Sequence, residues 1–311
     1  MRLVTYTAAL KNGPGELTMN HSNEAVVVGL SGGLGNQIFQ YAAGRALSLR
    51  LGAPLKLDTS WFTGQKNRTF ALDPFAIAGE TCTSRSLTPH WFKPFESKVS
   101  RRLFTSRMGA KIFREPHFHF SASFEDISSP IFLEGYWQSP RYFQEATAHI
   151  QNDLEILGTV PSPCQAMLEA IQSSQSICMH VRRGDYVSSA ITAKTHGTCS
   201  QDYYIQGITS LIKDMVSPRC FVFSDDPEWV RENVTLPCSM TVVDINSGDE
   251  AHWDLFLMSA CDHFLIANSS LSWWGAWLGR NINKRVIAPR NWFLDSDKDT
   301  RDLIPQKWER I

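Results

Sequence analysis

The chain has 311 residues, of which 43% are hydrophobic and 20% charged, with a formal net charge of −1, proportions ordinary for a globular enzyme. A balance this close to neutral excludes a broad basic surface for nucleic acid, and no apolar run approaches the roughly 20 residues that cross a bilayer. The length exceeds what one small core organises, so two domains or one large α/β unit are expected.

Seven cysteines occur without a CxxC pair, and Cys178, Cys220 and Cys261 sit in apolar runs. That usage fits reduced, packed thiols in a cytoplasmic protein, at most peripheral at the inner face of a membrane, rather than a disulfide framework. Asn-x-Ser/Thr triplets at Asn67, Asn233 and Asn268 carry little weight without a signal peptide. Ten tryptophans are many for this length; flat aromatic faces suit sugar rings, although burial is their commoner use.

Residues 1–24 read as an irregular extension, broken by Asn12, Gly13, Pro14 and Gly15, with Met19 as a nearer start. Order is expected from Ala25-Val26-Val27-Val28-Gly29-Leu30, a β-branched run typical of a central strand. It ends in Ser31-Gly32-Gly33-Leu34-Gly35-Asn36-Gln37 and enters a helix with Ile38, Phe39, Ala42, Ala43, Ala46, Leu47 and Leu51 on its apolar side and Gly52 as its stop. Leu55-Lys56-Leu57-Asp58 follows as a strand, completing a strand–glycine turn–helix–strand unit that opens a Rossmann-like domain. Glycines at Gly33 and Gly35 let backbone approach a ligand, and a helix start offers unpaired N–H groups to an anion. The turn is neither a Walker loop nor G-x-G-x-x-G. Alone it is read equally as a tight βα turn, and Asn36 and Gln37 in the first helical turn, facing the same cleft, are what single it out.

Between residues 60 and 170 the signals weaken. The basic residues from Arg85 to Arg114 read as a solvated helix face rather than an anion or membrane contact. His117-Phe118-His119-Phe120 alternates as a strand does, with both histidines on one face; no third ligand stands at zinc-like spacing, so they are read as structural. Phe132 to Ser139 is expected to form a strand and an aromatic loop, whose Trp137 either lines an acceptor cleft or packs the domain joint. A helical stretch runs from Pro140 to Leu157, and Pro161-Ser162-Pro163 reads as a linker.

The second half repeats the alternation. The apolar run Ile177-Cys178-Met179 leads to His180-Val181-Arg182-Arg183-Gly184-Asp185-Tyr186 at a C-terminal strand end, where open α/β sheets gather their ligands. Two adjacent guanidiniums there are costly unless an anion meets them, and a planar fork of donors suits phosphate; an internal Arg–Asp pair fixing a loop is the plainer alternative. A helix around Tyr203–Met215 and strands at Cys220–Phe223 and Met240–Asp244 follow. Asp226 before Pro227 reads as a helix cap in preference to a metal-binding carboxylate pair with Asp225. Ala251–Cys261 is an amphipathic helix carrying Asp254, and His263–Ala267 a strand. Asn268-Ser269-Ser270 then turns into the helix Leu271–Gly279, as an everyday cap or as a second anion cradle. Arg285–Pro289 is the last strand, and residues 290–311 form a tail that packs back across the domains.

The glycine turn, the double arginine and the Asn-Ser-Ser turn all fall at C-terminal strand ends of one architecture. Together they suit a diphosphate bound without metal, with arginine, amides and hydroxyls meeting the charge that develops on a leaving group. No separated Asp-x-Asp accompanies the arginines. The chemistry is then displacement of a nucleoside diphosphate from a sugar.

Gly32 through Ala42, His180 through Tyr186, Phe223-Ser224-Asp225-Asp226 and the stretch from Asp254 through Ile266 to Ala276 resemble the α-1,2-fucosyltransferases, and more narrowly a bacterial member of glycosyltransferase family 11. The resemblance runs from about Val27 to near the C-terminus. It implies an α/β GT-B fold of two Rossmann-like domains facing across a cleft: an acceptor-side domain over 25–165 and a GDP-fucose-binding domain with the tail over 166–311. It implies inverting transfer of L-fucose from GDP-fucose to the 2-hydroxyl of a terminal β-galactoside, with GDP-fucose as donor substrate and no cofactor. Carried over residue by residue, His180 contacts guanine and Arg182 the β-phosphate, with Arg183 in support. Asp254 contacts guanine, Ser269 and Ser270 contact phosphate, and Asn36 faces the pyrophosphate and fucose. Gly33 and Gly35 line the donor, while Gln37, Trp137 and His196 are the acceptor-side candidates. One departure stands out: some related fucosyltransferases carry a glutamate just past the double arginine as general base, whereas here Tyr186-Val187-Ser188-Ser189-Ala190 follows. Asp185 and His196 are the candidate bases. Rival functions are fucose transfer to a protein hydroxyl, a non-catalytic carbohydrate-binding module and a phosphate-binding regulator.

Overall fold

Three consecutive valines make the first strand, β1 (Val26–Gly29), because branched side chains pack well on both covered faces of a parallel sheet. The chain turns through Gly32 at φ +78° into α1 (Leu34–Leu51), which ends where Gly52 adopts the left-handed conformation that glycine enters without steric cost. The computed structural model describes residues 25–66, 68–83, 111–184, 197–294 and 298–311.

After α1 the chain forms β2 (Leu55–Asp58), β3 (Glu80–Cys82), β4 (Ile112–Arg114) and β5 (Phe132–Glu134), ordered β3-β2-β1-β5-β4 in one sheet. Short 3-10 turns at Pro140–Tyr142 and Gln144–Ala146 precede α2 (Thr147–Asp153), so the helix expected over Pro140–Leu157 is only partly α. Ser139 accepts from the Arg141 amide and caps the first of these turns. Pro161 caps α3 (Ser162–Gln172), so the expected linker is instead a helix start with Pro163 in its first turn, a position that needs no N–H partner.

The second sheet begins with β6 (Gln175–Val181). It continues through α4 (Gln201–Ile212), β7 (Pro218–Ser224), α5 (Pro227–Asn233), β8 (Ser239–Val243), α6 (Ala251–Ser259) and β9 (His263–Leu265). Then come α7 (Ser270–Leu278), β10 (Val286–Ala288) and β11 (Glu309–Arg310). The strand order is β11-β10-β9-β6-β7-β8, and the strand pairings of both sheets are parallel. Parallel strands need helical crossovers, which is why the second half reads so regularly. The strand expected at His117–Phe120 is absent: the two imidazoles stack with centroids 3.5 Å apart, and His117 Nδ1 lies 2.9 Å from the His119 carbonyl.

What joins the sheets is aromatic. Phe39 of α1 packs against Trp273 and Trp274 of α7 at centroid distances of 4.6 and 4.9 Å, and Phe143 stacks on Trp274 at 5.3 Å. All four rings are buried and belong to one hydrophobic cluster that runs through both sheets. The tail closes over the same joint. Ser139 donates to the Asp302 carbonyl, the Phe120 amide to the Asp302 carboxylate and the Trp273 indole to the Leu303 carbonyl. All seven cysteines are free thiols. No helix among the described residues is long and apolar enough to cross a membrane.

Candidate active site

The first turns of α1 and α7 pack against each other. The Trp274 indole donates to the Gly35 carbonyl at 3.0 Å. A Cβ on Gly35 would stand 2.5 Å from the backbone of Ser270 and Leu271, so only glycine permits this approach. Neither helix has a side-chain cap: Gly33 has none to offer, and Ser269 makes no capping bond. Both N-termini open on one cavity of about 680 Å³ whose wall includes Gly33, Gly35, Asn36, Arg182, Ser269 and Ser270. Two positive helix ends and a guanidinium facing one space make a site for a strongly charged anion.

The double arginine divides its work. Arg182, 23% exposed at its side chain, lies on the cavity wall and bonds to Asp225 at 3.0 Å. Arg183 turns away: its amide donates to Asp225 Oδ1, its Nε to Asp226 Oδ2, and its guanidinium stacks 3.8 Å over Trp229. Asp226 in turn accepts the Trp229 amide and caps α5, so the carboxylates after β7 brace the arginines and the helix. His180, at the end of β6, is 3% exposed behind Arg182. Burial holds its imidazole down to about 4, with Asp225 working against the shift and Arg182 adding to it. Its Nδ1 has no partner among the described residues.

The opposite wall comes from the first sheet. Gln138 Nε2 donates to Asn36 Oδ1 at 2.8 Å. Gln37 is fully buried, donating to the Gly32 and Thr69 carbonyls and accepting from the Ala71 amide. Its amide is therefore a staple between the glycine turn and the 68–74 loop, and the residue also lines the cavity. Trp137 is a correction. It is fully buried against Phe113, Phe124 and Tyr142, and its neighbours Tyr136 and Gln138 face the cavity instead. The turn holds Trp137 at φ +58°, a conformation that costs a bulky residue energy. Glu115, after β4, holds it there by accepting the Tyr136 amide at 2.7 Å and the Trp137 amide at 3.1 and 3.2 Å.

Glu115 lies on the cavity wall with Asn36, His117, Tyr136 and Gln138. Burial raises its pKa to about 7, with the two backbone amides and His117 pulling the other way. In the sequence Glu115 ends the basic stretch and precedes a proline, and nothing local marks it; only the order of β4 beside β5 brings it to the cleft. Asp254, on α6, is set behind the wall that Ala251 and His252 form. It accepts from Asn246 at 2.7 Å, and burial pushes it up to about 6. Asp185 and His196 lie outside the described residues, as do most of the basic stretch after Arg85 and all of residues 1–24. Among the described residues no group of three or more His, Cys, Asp or Glu is placed to hold a metal ion.

Two facing parallel sheets with an anion cleft between their helix ends define an α/β protein of the GT-B type. The crystal structure of fucosyltransferase NodZ from Bradyrhizobium shares the fold with a TM-score of 0.50 at 16% identity, over 81% of this chain and 92% of that one. The family model described as glycosyl transferase family 11 matches residues 2–311, and the chain belongs to that family. An Escherichia coli alpha-1,2-colitosyltransferase is 36% identical over 92% of this chain and 98% of its own length. The Escherichia coli O-antigen biosynthesis glycosyltransferase WbnK is 31% identical over 86% and 95% respectively.

Proposed function

We propose that this chain transfers L-fucose from GDP-fucose, with inversion, to the 2-hydroxyl of a terminal β-galactoside, forming an α-1,2 linkage. The observation that carries the reading is the meeting of two uncapped helix N-termini and Arg182 on one cavity. A departing GDP gains negative charge as its bond to the sugar breaks, and oriented amides, the serine hydroxyls and the guanidinium meet that charge without reorganising. We assign Arg182, Ser269, Ser270, Gly33 and Gly35 to the diphosphate and Asn36, steadied by Gln138, to the sugar beside it. On this reading the donors are the protein's own, the reaction proceeds without a metal ion, and the enzyme works in the cytoplasm on glycans still under assembly.

The colitosyltransferase relative favours a second donor, one that carries colitose in place of fucose. The test is to offer both donors with a panel of β-galactosides and peptides and to determine the product linkage by mass spectrometry and NMR, with and without a chelator. An α-1,2-fucosylated galactoside formed in chelator is the expected product. A colitosyl product selects the second donor, a fucosylated peptide the protein-directed rival, and GDP binding without any product a non-catalytic regulator. Absence of GDP binding by calorimetry would leave a carbohydrate-binding module.

A further inference from the structure

Inversion by single displacement leaves one requirement unassigned among the described residues: a group to take the proton of the attacking hydroxyl. Resting on the glycosyl-transfer reading above, we propose that Glu115 is that base and that the acceptor binds against the wall it shares with Asn36, Tyr136 and Gln138.

Three observations converge on it. First is position: Glu115 follows β4, Tyr136 and Gln138 follow β5, and Asn36 follows β1, neighbouring strands of one parallel sheet. The carboxylate therefore stands at the ligand-gathering edge of the same cavity, with β5 between it and the residue assigned to the donor sugar. Second is geometry. Two backbone amides clamp the carboxylate, and a side chain at Gly135 would strike it, since a Cβ there would lie 2.8 Å from Glu115 Oε2. A clamped base keeps its aim without paying rotamer entropy at each turnover. Third is contrast with the other carboxylates of the cavity. Asp73 and Asp249 line it as well, but both are exposed where Glu115 is half-buried; only a desolvated carboxylate gains the basicity that proton abstraction near neutral pH requires. Its titration to about 7 agrees.

The charged and titratable groups around it are His117 on its own loop and Tyr142 packed below. Across the cavity stand Arg68 from the first half and Arg182, His252 and Lys298 from the second. In the step, the acceptor oxygen forms its bond to the sugar C1 while the bond from C1 to the phosphate oxygen breaks and its electron pair leaves with GDP. The hydroxyl proton passes to Glu115, which later returns it to solvent.

Glu115→Gln is the informative variant. Glu115 Oε2 is within bonding distance of both backbone amides, so a single carboxamide oxygen can keep the clamp while basicity is lost. We expect kcat to fall by about 10²–10⁴-fold, GDP affinity by calorimetry to change less than about threefold, and the acid limb near pH 7 in the wild-type kcat/KM profile to vanish. A purely structural Glu115 predicts a lower rate with that limb intact. If Glu115→Gln does not fold, Glu115→Asp retains a base but withdraws it, so the limb should persist on a much reduced rate; wild-type turnover by either folded variant overturns the proposal. Loss of the limb in Asp185→Asn or His196→Gln instead, with Glu115→Gln keeping it, overturns it equally. A wild-type protein inert towards every donor and acceptor refutes the glycosyl-transfer reading itself, a result distinct from an active wild type with an unimpaired Glu115→Gln.

Discussion

Replacing Gly35 by alanine tests whether the contact between α1 and α7 sets the geometry of the cleft. The added Cβ would lie 2.5 Å from Leu271 N and Ser270 C and 2.6 Å from Ser270 Oγ, against an ordinary contact of 3.4 Å or more. The two helix ends must therefore part by about 0.9 Å, the difference between those values. Backbone is what the methyl meets, so no rotamer change relieves it. Overpacking of this kind costs about 1–3 kcal/mol, and alanine's higher helix propensity returns at most about 1 kcal/mol. A net loss of up to about 2–3 kcal/mol should lower Tm by as much as a few degrees. Function should suffer far more. Both helix ends open on one cavity, where on the proposed reading they meet one anion, and a displacement near 1 Å can cost about 10²-fold in rate. The assay is a thermal melt and steady-state transfer, with Gly33→Ala as the control, because a Cβ at Gly33 meets nothing within 4 Å. Wild-type Tm and turnover in Gly35→Ala would refute the idea that this contact holds the site together.

Other outcomes follow from the same geometry. Arg182→Ala should abolish transfer and weaken GDP binding at least tenfold while Tm moves little, because Asp225 keeps the Arg183 amide as a donor; calorimetry and a melt decide. Gln37→Ala removes three hydrogen bonds between the glycine turn and the 68–74 loop, each worth about 1 kcal/mol net, so Tm should fall clearly even when acceptor is saturating. The pH dependence of stability offers a further check. Glu115 has a native pKa near 7 against an ordinary 4.5, so its contribution is full below about 4.5 and lost as pH rises through 7. His180, held near 4 against 6.5, acts oppositely: its contribution is present above 6.5 and lost as pH falls through 4. Glu115→Gln removes only the first, so its Tm relative to wild type should rise between pH 4.5 and 7.5; a flat difference would mean the carboxylate is not desolvated.

The second half of the fold was legible because parallel strands buried on both faces read as apolar runs, with caps such as Asp226 marking the helix starts between them. Arg182, Ser269 and Asn36 were legible for a related reason: each follows such a run, and strand ends are where ligands gather. The first half resisted because β3, β4 and β5 have only three residues each, too few for a period to emerge. Trp137 was misplaced on composition. An indole beside a candidate cleft suggests a sugar platform, but the chain turns through a left-handed conformation at Trp137, and which way its ring goes depends on the Phe113–Phe124–Tyr142 cluster, spread over 30 positions. Gln37 was expected on the acceptor side and does line the cavity, but its bonds to the Thr69 carbonyl and the Ala71 amide join it to a loop more than 30 positions away, which no local pattern marks.

The division of labour between the sheets explains why the joint is built of large aromatic rings. On the proposed reading the leaving group is met from both halves, by α1 on one side and by α7 and Arg182 on the other, whereas the wall carrying Glu115, Tyr136 and Gln138 belongs to the first sheet alone. Attack and departure are then aligned only while the two sheets hold one relative position. A hydrated, polar joint would allow the sliding common between domains. Phe39, Phe143, Trp273 and Trp274 instead fill the joint as fully as a core, and the Trp274–Gly35 bond ties the helix ends to each other. Loosening that joint should therefore impair transfer before it impairs donor binding, since the anion can still be held by either half while the reacting atoms lose their line.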